Sequence, residues 1–301
     1  MGTQTITRRP LDSTAIGLMV LLCAAWGLQQ VVIKVTAPLM GAVLQAGVRS
    51  AIAALLVFAF AAWRGTPIWE RDGTLRAGLV AGLLFGAEFF CIFVGLGHTT
   101  ASRMAVFLYT APIFTALGLH LFVPGEHLHR GQWLGVVLAF LGMVLAFADG
   151  IVSSGAAGST LLGDALGVVA GALWAATTIV VRGSKLSHAP ASKTLLYQLA
   201  VSAVLLLVMA LLAGQLHRVQ VTGFVVASLF YQSVLIAFAS YLIWFWLLRQ
   251  YLASRLSVFS FLTPLFGVAF GVLLMHDQVG VRFAVAAVMV LGGIVLVNRK
   301  V

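Results

Sequence analysis

The 301 residues are 61% apolar and only 9% charged, with a mean hydropathy of +1.08, whereas a soluble domain carries about 25% charged residues. That excludes an ordinary soluble domain, and the formal charge of +10, spread over short connections, reads as a topology signal and not as a nucleic-acid surface. Cys23 and Cys91 each lie in an apolar run, which argues against a disulfide framework or a metal site.

After Arg8 and Arg9 comes an apolar stretch over 14–34, too long for a signal-peptide core and without a clear small-residue cleavage site, so it is read as a retained first span. A crossing helix needs about 20 mainly apolar residues and must satisfy its own backbone hydrogen bonds in lipid. Nine further stretches qualify, near 42–63, 77–97, 101–122, 132–148, 161–182, 194–213, 223–248, 253–274 and 281–298. The breaks carry turn chemistry: Ala37-Pro38, Arg64-Gly65-Thr66-Pro67, and Gly150 to Gly158 between the halves. The links at His98-Thr99-Thr100 and Gln250-Tyr251-Leu252 are short enough to demand tight helical hairpins.

Lys and Arg set the expected orientation. One side collects Arg8, Arg9, Arg64, Arg71, Arg76, Arg130, Arg182, Lys185, Lys193, Arg249, Arg255, Arg299 and Lys300; the other has only Lys34, Arg103, Arg218 and Arg282. Both termini are therefore expected on the cytoplasmic side of a bacterial inner membrane.

Comparing the chain with itself gives the architecture. Residues 101–114, ASRMAVFLYTAPIF, match residues 253–266, ASRLSVFSFLTPLF, at seven of fourteen positions. At similar spacing Trp26 pairs with Trp174, Gln29 and Gln30 with Thr177 and Thr178, Lys34 with Arg182, Glu88 with Ser240, and Phe89 with Tyr241. Five spans per repeat is an odd number, so the second copy crosses in the opposite sense. The expected fold is an all-α polytopic membrane protein whose ten transmembrane helices form two inverted five-helix repeats, 1–150 and 151–301, around a central cavity. Inverted repeats about a midplane site are the build of many secondary transporters.

These residues resemble a family, the EamA-type exporters of the drug/metabolite transporter superfamily. The resemblance rests on Ala24-Ala25-Trp26-Gly27, the run from Gly97-His98-Thr99-Thr100-Ala101-Ser102-Arg103 to Pro112, Glu126, Gly142, Gly163-Asp164 and the second ASR…P segment. Asp277-Gln278 stands where the family's second half usually has a glutamate. The chain looks most like bacterial exporters of amino acids, aromatic ones included. The resemblance implies a basket of helices whose first, third, fourth, sixth, eighth and ninth spans line much of the cavity.

Trp26, Gln29, Gln30 and Ile33 share one face of the first span, and Trp174, Thr177, Thr178 and Val181 repeat that face in the sixth. A tryptophan beside two hydrogen-bonding side chains, presented twice, suits a zwitterion with an apolar part; the competing reading is that these polar groups join helices. Glu88 is the one carboxylate well inside a span, where a charge costs at least about 2.5 kcal/mol and usually faces water or a partner. It is read either as a proton or ammonium site or as the partner of Arg49. Tyr109, Ser240, Tyr241 and Trp244 add polar and aromatic surface at cavity height, and an aromatic stripe is equally ordinary packing. Pro112 and Pro264 hold matching mid-span positions, as hinges or as static bends. His120 is expected to be a packing residue.

No metalloprotease, nucleophile-elbow or P-loop motif occurs, which disfavours a membrane enzyme and an ATP-driven pump. A channel would call for a ring-like filter. The expectation is a secondary transporter that exports a small metabolite by alternating access, an amino acid first and another metabolite or drug as the alternative. Its partners are that substrate and the lipid bilayer; no cofactor, metal, nucleic acid or obligatory protein partner is inferred.

Overall fold

A computed structural model of the chain describes residues 11–96, 98–99, 101–148, 158–275 and 281–299. Arg8, Arg9, Gly97, Thr100, the link at 150–157 with the boundary between the halves, Asp277-Gln278 and Lys300 lie outside the described residues. The helices are α1 (Ser13–Thr36), α2 (Ala42–Trp63), α3 (Leu75–Leu96), α4 (Ala101–Leu108), α5 (Ala111–Phe122), α6 (Arg130–Ala146), α7 (Gly158–Gly183) and α8 (Ala191–Leu212). They continue with α9 (Gly223–Phe230), a π-helical stretch Tyr231–Ser240, α10 (Tyr241–Gln250), α11 (Ala253–Phe259), α12 (Leu262–Met275) and α13 (Val281–Asn298).

These elements make ten crossings. Among the described residues nine helical stretches are long and apolar enough to span a membrane, and α6, with 17 residues, is the short tenth. At about 1.5 Å per residue α6 covers about 25 Å, at the lower end of what crosses hydrocarbon. The 223–250 crossing joins α9, the π-helical stretch and α10 without interruption.

The fourth and ninth crossings break at matching places. α4 stops at Leu108 and α5 starts at Ala111; α11 stops at Phe259 and α12 starts at Leu262. Proline has no amide proton and its ring crowds the carbonyl four residues back, so Pro112 and Pro264 end the preceding helix near Leu108 and Ser260. Short hydroxyl side chains close the gaps: Thr110 donates to the Phe107 carbonyl and Ser260 to the Ser257 carbonyl, each at 2.6 Å. The broken helices lie on equivalent partners, α5 against α7 and α12 against α1.

With little hydrophobic drive between helices in lipid, close approach depends on small residues. Gly78, Gly82 and Gly86 make a stripe along α3 that receives Tyr197, Val201 and Leu205 of α8, and a methyl group added to any of the three would overlap them. The fifth and tenth crossings meet backbone to backbone, where Gly135 faces the Gly293 carbonyl and Gly293 faces that of Gly135. Swapping each crossing for its counterpart in the other half maps the α5–α7 pair onto α12–α1 and leaves α6–α13 and α2–α8 unchanged, all of which are packed pairs. The bundle is thus a two-fold repeat of five crossings, in opposite senses because five is odd.

Candidate functional site

The two tryptophan faces meet in one place. Trp26, Gln29 and Gln30 of α1 and Trp174, Thr177 and Thr178 of α7 all line one cavity of about 210 Å³, with Glu88 of α3, Tyr109 between α4 and α5, and Tyr241 and Trp244 of α10. The volume is below the about 300–1,000 Å³ of sites for drug-sized ligands. Nine of the 23 lining residues are aromatic. Trp26 meets Trp244 and Tyr241 edge-on at ring separations of 5.8 and 6.3 Å, and Trp174 meets Tyr109 at 5.8 Å.

Ser240 stands behind this wall rather than in it. It accepts the Trp26 indole N–H at 2.9 Å and donates to the Ile236 carbonyl at 2.6 Å, which fixes the ring against α10 and occupies the hydroxyl. The Thr177 and Thr178 hydroxyls donate to the Leu173 and Trp174 carbonyls of their own helix. That leaves acceptor lone pairs toward the cavity. Pro112 and Pro264 lie in the first turns of α5 and α12, just after the helix breaks, and not among the lining residues.

Glu88 holds the position that Ser240 holds in the other half, yet it has no hydrogen bond to Trp174 or to any other described residue. It is 7% exposed. Arg49 of α2 lies close enough to act on it electrostatically, but the two form no contact ion pair. Contact ion pairs do join Arg103 to Asp164, Arg182 to Glu126 and Lys193 to Asp72.

Arg49, the candidate partner of Glu88, is part of the wall, as are Phe85, Phe89 and Gln198. Arg49 is 2% exposed. Its guanidinium lies over the Phe89 ring with Cζ 4.6 Å from the centroid. Gln198 sits on α8, in a span that the family resemblance does not place around the cavity. The signal that could have found both was the repeat, since α2 and α8 are equivalent 22-residue helices and each residue is the eighth of its own.

The two ends of the cavity differ. Toward the end of the bundle that carries Leu96, Gln30 is exposed and Leu96 is 40% exposed. Toward the other end Val181 and Leu248 are buried, and Arg182, buried as well, lies beyond them. Arg182 pairs with Glu126 and donates to the Leu248 and Tyr251 carbonyls that end α10. Glu126 in turn accepts the backbone N–H groups of Ala253 and Ser254 at 3.1 Å each and the Ser254 hydroxyl at 2.9 Å. A carboxylate there satisfies unpaired donors at the start of α11 and lies at the positive end of its dipole.

Arg103 and Asp164, both part of the family resemblance, tie a hairpin to a helix. Asp164 accepts from Thr99 at 2.8 Å and from Arg103 Nε at 3.1 Å, joining the end of the link at Thr99 and the start of α4 to α7. Tyr251 donates to Asp12 at 2.7 Å and so joins the corresponding hairpin to α1. His120 is a packing residue: its ring meets His127 and Trp133, and its Nδ1 accepts the Leu128 N–H at 3.2 Å. Among the described residues no three His, Cys, Asp or Glu side chains gather closely enough to hold a metal ion.

The sequence pattern of the EamA-like transporter family matches residues 13–148 and again residues 161–299. A protein of Escherichia coli (strain K12) named "Probable amino-acid metabolite efflux pump" is 28% identical over 286 residues, covering 92% of each chain. An "Uncharacterized transporter" of Archaeoglobus fulgidus is 30% identical over 210 residues, 69% of this chain and 70% of that protein. A solved crystal structure superposes with a TM-score of 0.78 at 16% identity, over 95% of this chain and 96% of that one, which speaks for the fold alone. Matched by the family pattern once in each half, the chain belongs to the EamA-like transporter family of the drug/metabolite transporter superfamily.

Proposed function

We propose that the protein exports amino acids, aromatic ones included, across the cytoplasmic membrane as a secondary transporter working by alternating access. One observation carries this reading: a small aromatic cavity is shared by the equivalent faces of both halves and holds a carboxylate, Glu88, that forms no hydrogen bond or contact ion pair with any described residue. Aromatic walls take an apolar side chain and attract a cation by about 0.5–2 kcal/mol, and Glu88 meets the ammonium group or a coupling proton. The amino-acid efflux relative supports the same substrate class.

The two halves divide at residues 150 and 151 in this reading, and the Lys and Arg bias puts both termini in the cytoplasm. The end closed by Arg182 and Glu126 then faces the cytoplasm, and the cavity is open outward. Movement at the helix breaks beside Pro112 and Pro264 exchanges the two openings.

The test is counterflow in proteoliposomes with labelled amino acids, sugars and nucleotide sugars. Saturable, ATP-independent exchange of amino acids is expected, and exchange restricted to the other classes contradicts the reading. Glu88→Gln is expected to abolish or uncouple that exchange in protein that still folds. Wild-type kinetics and wild-type pH dependence in this variant would remove Glu88 from the mechanism.

A further inference from the structure

We infer that Arg49 is the carboxylate anchor of the substrate site, so that the cavity selects zwitterions by binding both of their charges. This deepens the amino-acid reading above and rests on it.

Arg49 is buried, yet its Nε and Nη2 have no hydrogen-bond partner. Buried donors are nearly always satisfied, and a buried charged donor left unpaired is costly, so such a pair implies a partner that arrives from elsewhere. The guanidinium lines the cavity, which is open space beside it. A carboxylate is the ligand that matches adjacent guanidinium N–H groups, because its two oxygens accept two parallel bonds. Phe89 stacks under the guanidinium and holds its plane.

Two further observations fit. Gln198, the counterpart of Arg49 in the second half, also lines the cavity, and its Nε2 is also buried without a partner. The spare donors therefore come as a pair related by the repeat. Glu88, within electrostatic range of Arg49 but not bonded to it, supplies the opposite charge in the same space. One positive group with two spare donors and one negative group without a contact ion pair complement a zwitterion and leave a simple amine or a simple acid with one charge unmatched.

The experiment measures binding of L-phenylalanine, its methyl ester, phenethylamine and 3-phenylpropionate to purified wild type, Arg49→Gln and Arg49→Lys, with thermal unfolding of each protein recorded. Wild type should prefer phenylalanine to the ester and to phenethylamine by about ten- to a hundredfold, the usual worth of hydrogen bonds to a charged group. In Arg49→Gln that preference should fall to near unity through weaker phenylalanine binding with ester binding unchanged, and Arg49→Lys should be intermediate. Arg49→Gln that keeps the full preference overturns the anchor and leaves the amino-acid reading standing. Wild type that binds 3-phenylpropionate but not phenylalanine, and loses it in Arg49→Gln, overturns the amino-acid reading and keeps the anchor. Wild type that binds the ester as tightly as phenylalanine overturns the anchor even where Arg49→Gln fails to fold, and binding of none of the four overturns both.

Discussion

Trp26 and Trp174 hold equivalent places in the two halves, but their surroundings differ. Trp26 is pinned by Ser240, while Glu88, the counterpart of Ser240, makes no hydrogen bond to Trp174. Both rings line the cavity, so Trp26→Ala and Trp174→Ala should each weaken substrate binding about two- to thirtyfold. Unchanged affinity in well-folded variants, measured alongside thermal stability, would remove the tryptophans from the site. Asp72 lies outside the membrane-spanning helices and accepts from Lys193 at 2.8 Å, and Lys193 with Thr74 holds the Asp72 carboxyl well below the ordinary 3.8. A lowered carboxyl pKa contributes stability above the ordinary value, and that contribution is lost as pH falls through the folded one. Asp72→Asn should therefore lower Tm slightly at pH 7, with the difference from wild type shrinking as pH drops below 3.8. Ten of the eleven residues expected to bind substrate line the cavity, because helical spacing and the repeat put them on one face. Ser240 shares that face but is consumed by Trp26, a contact between residues 214 positions apart that no local pattern shows.

The crossings themselves were legible, since twenty apolar residues between turn signals leave a chain in lipid few alternatives. Their interiors were less so. The two prolines marked the bends, but not that each helix would stop and restart. The π-helical stretch 231–240 has neither Pro nor Gly to announce it. It is accompanied by distant contacts: Tyr231 donates to the Ala25 carbonyl at 2.9 Å and Gln232 to Gln45 at 3.0 Å. At this scale two outcomes are expected. Gly82→Val pushes a side chain into Val201 and the Tyr197 carbonyl, so α3 and α8 must separate and thermal stability should fall sharply. Glu126→Gln strands the buried Arg182 charge at the closed end of the cavity and should destabilise by about 3–5 kcal/mol, with Glu126→Gln combined with Arg182→Gln recovering part of the loss. Unfolding of purified protein that matches wild type in either single variant would contradict these contacts.

Across the whole molecule the repeat supplies symmetry, and the cavity shows where it is broken. Gln30 is exposed where its counterpart Thr178 is buried, and Ile33 is partly exposed where Val181 is buried. Two inverted halves can exchange such an asymmetry by adopting each other's arrangement, which moves the opening from one face of the membrane to the other without moving the site. The sequence carried the repeat but not this state, because which end is closed depends on the ties made by Arg182 and Glu126 across the bundle. The most direct test places single cysteines at Ile33 and Val181, in a background of Cys23→Ala and Cys91→Ala, and follows their reaction with a membrane-impermeant thiol reagent from each side. Ile33→Cys should react from outside in resting protein while Val181→Cys is protected from inside, and saturating substrate should shift the two reactivities in opposite directions. Reactivities that rise and fall together, or that ignore substrate, would contradict alternating access through one shared cavity.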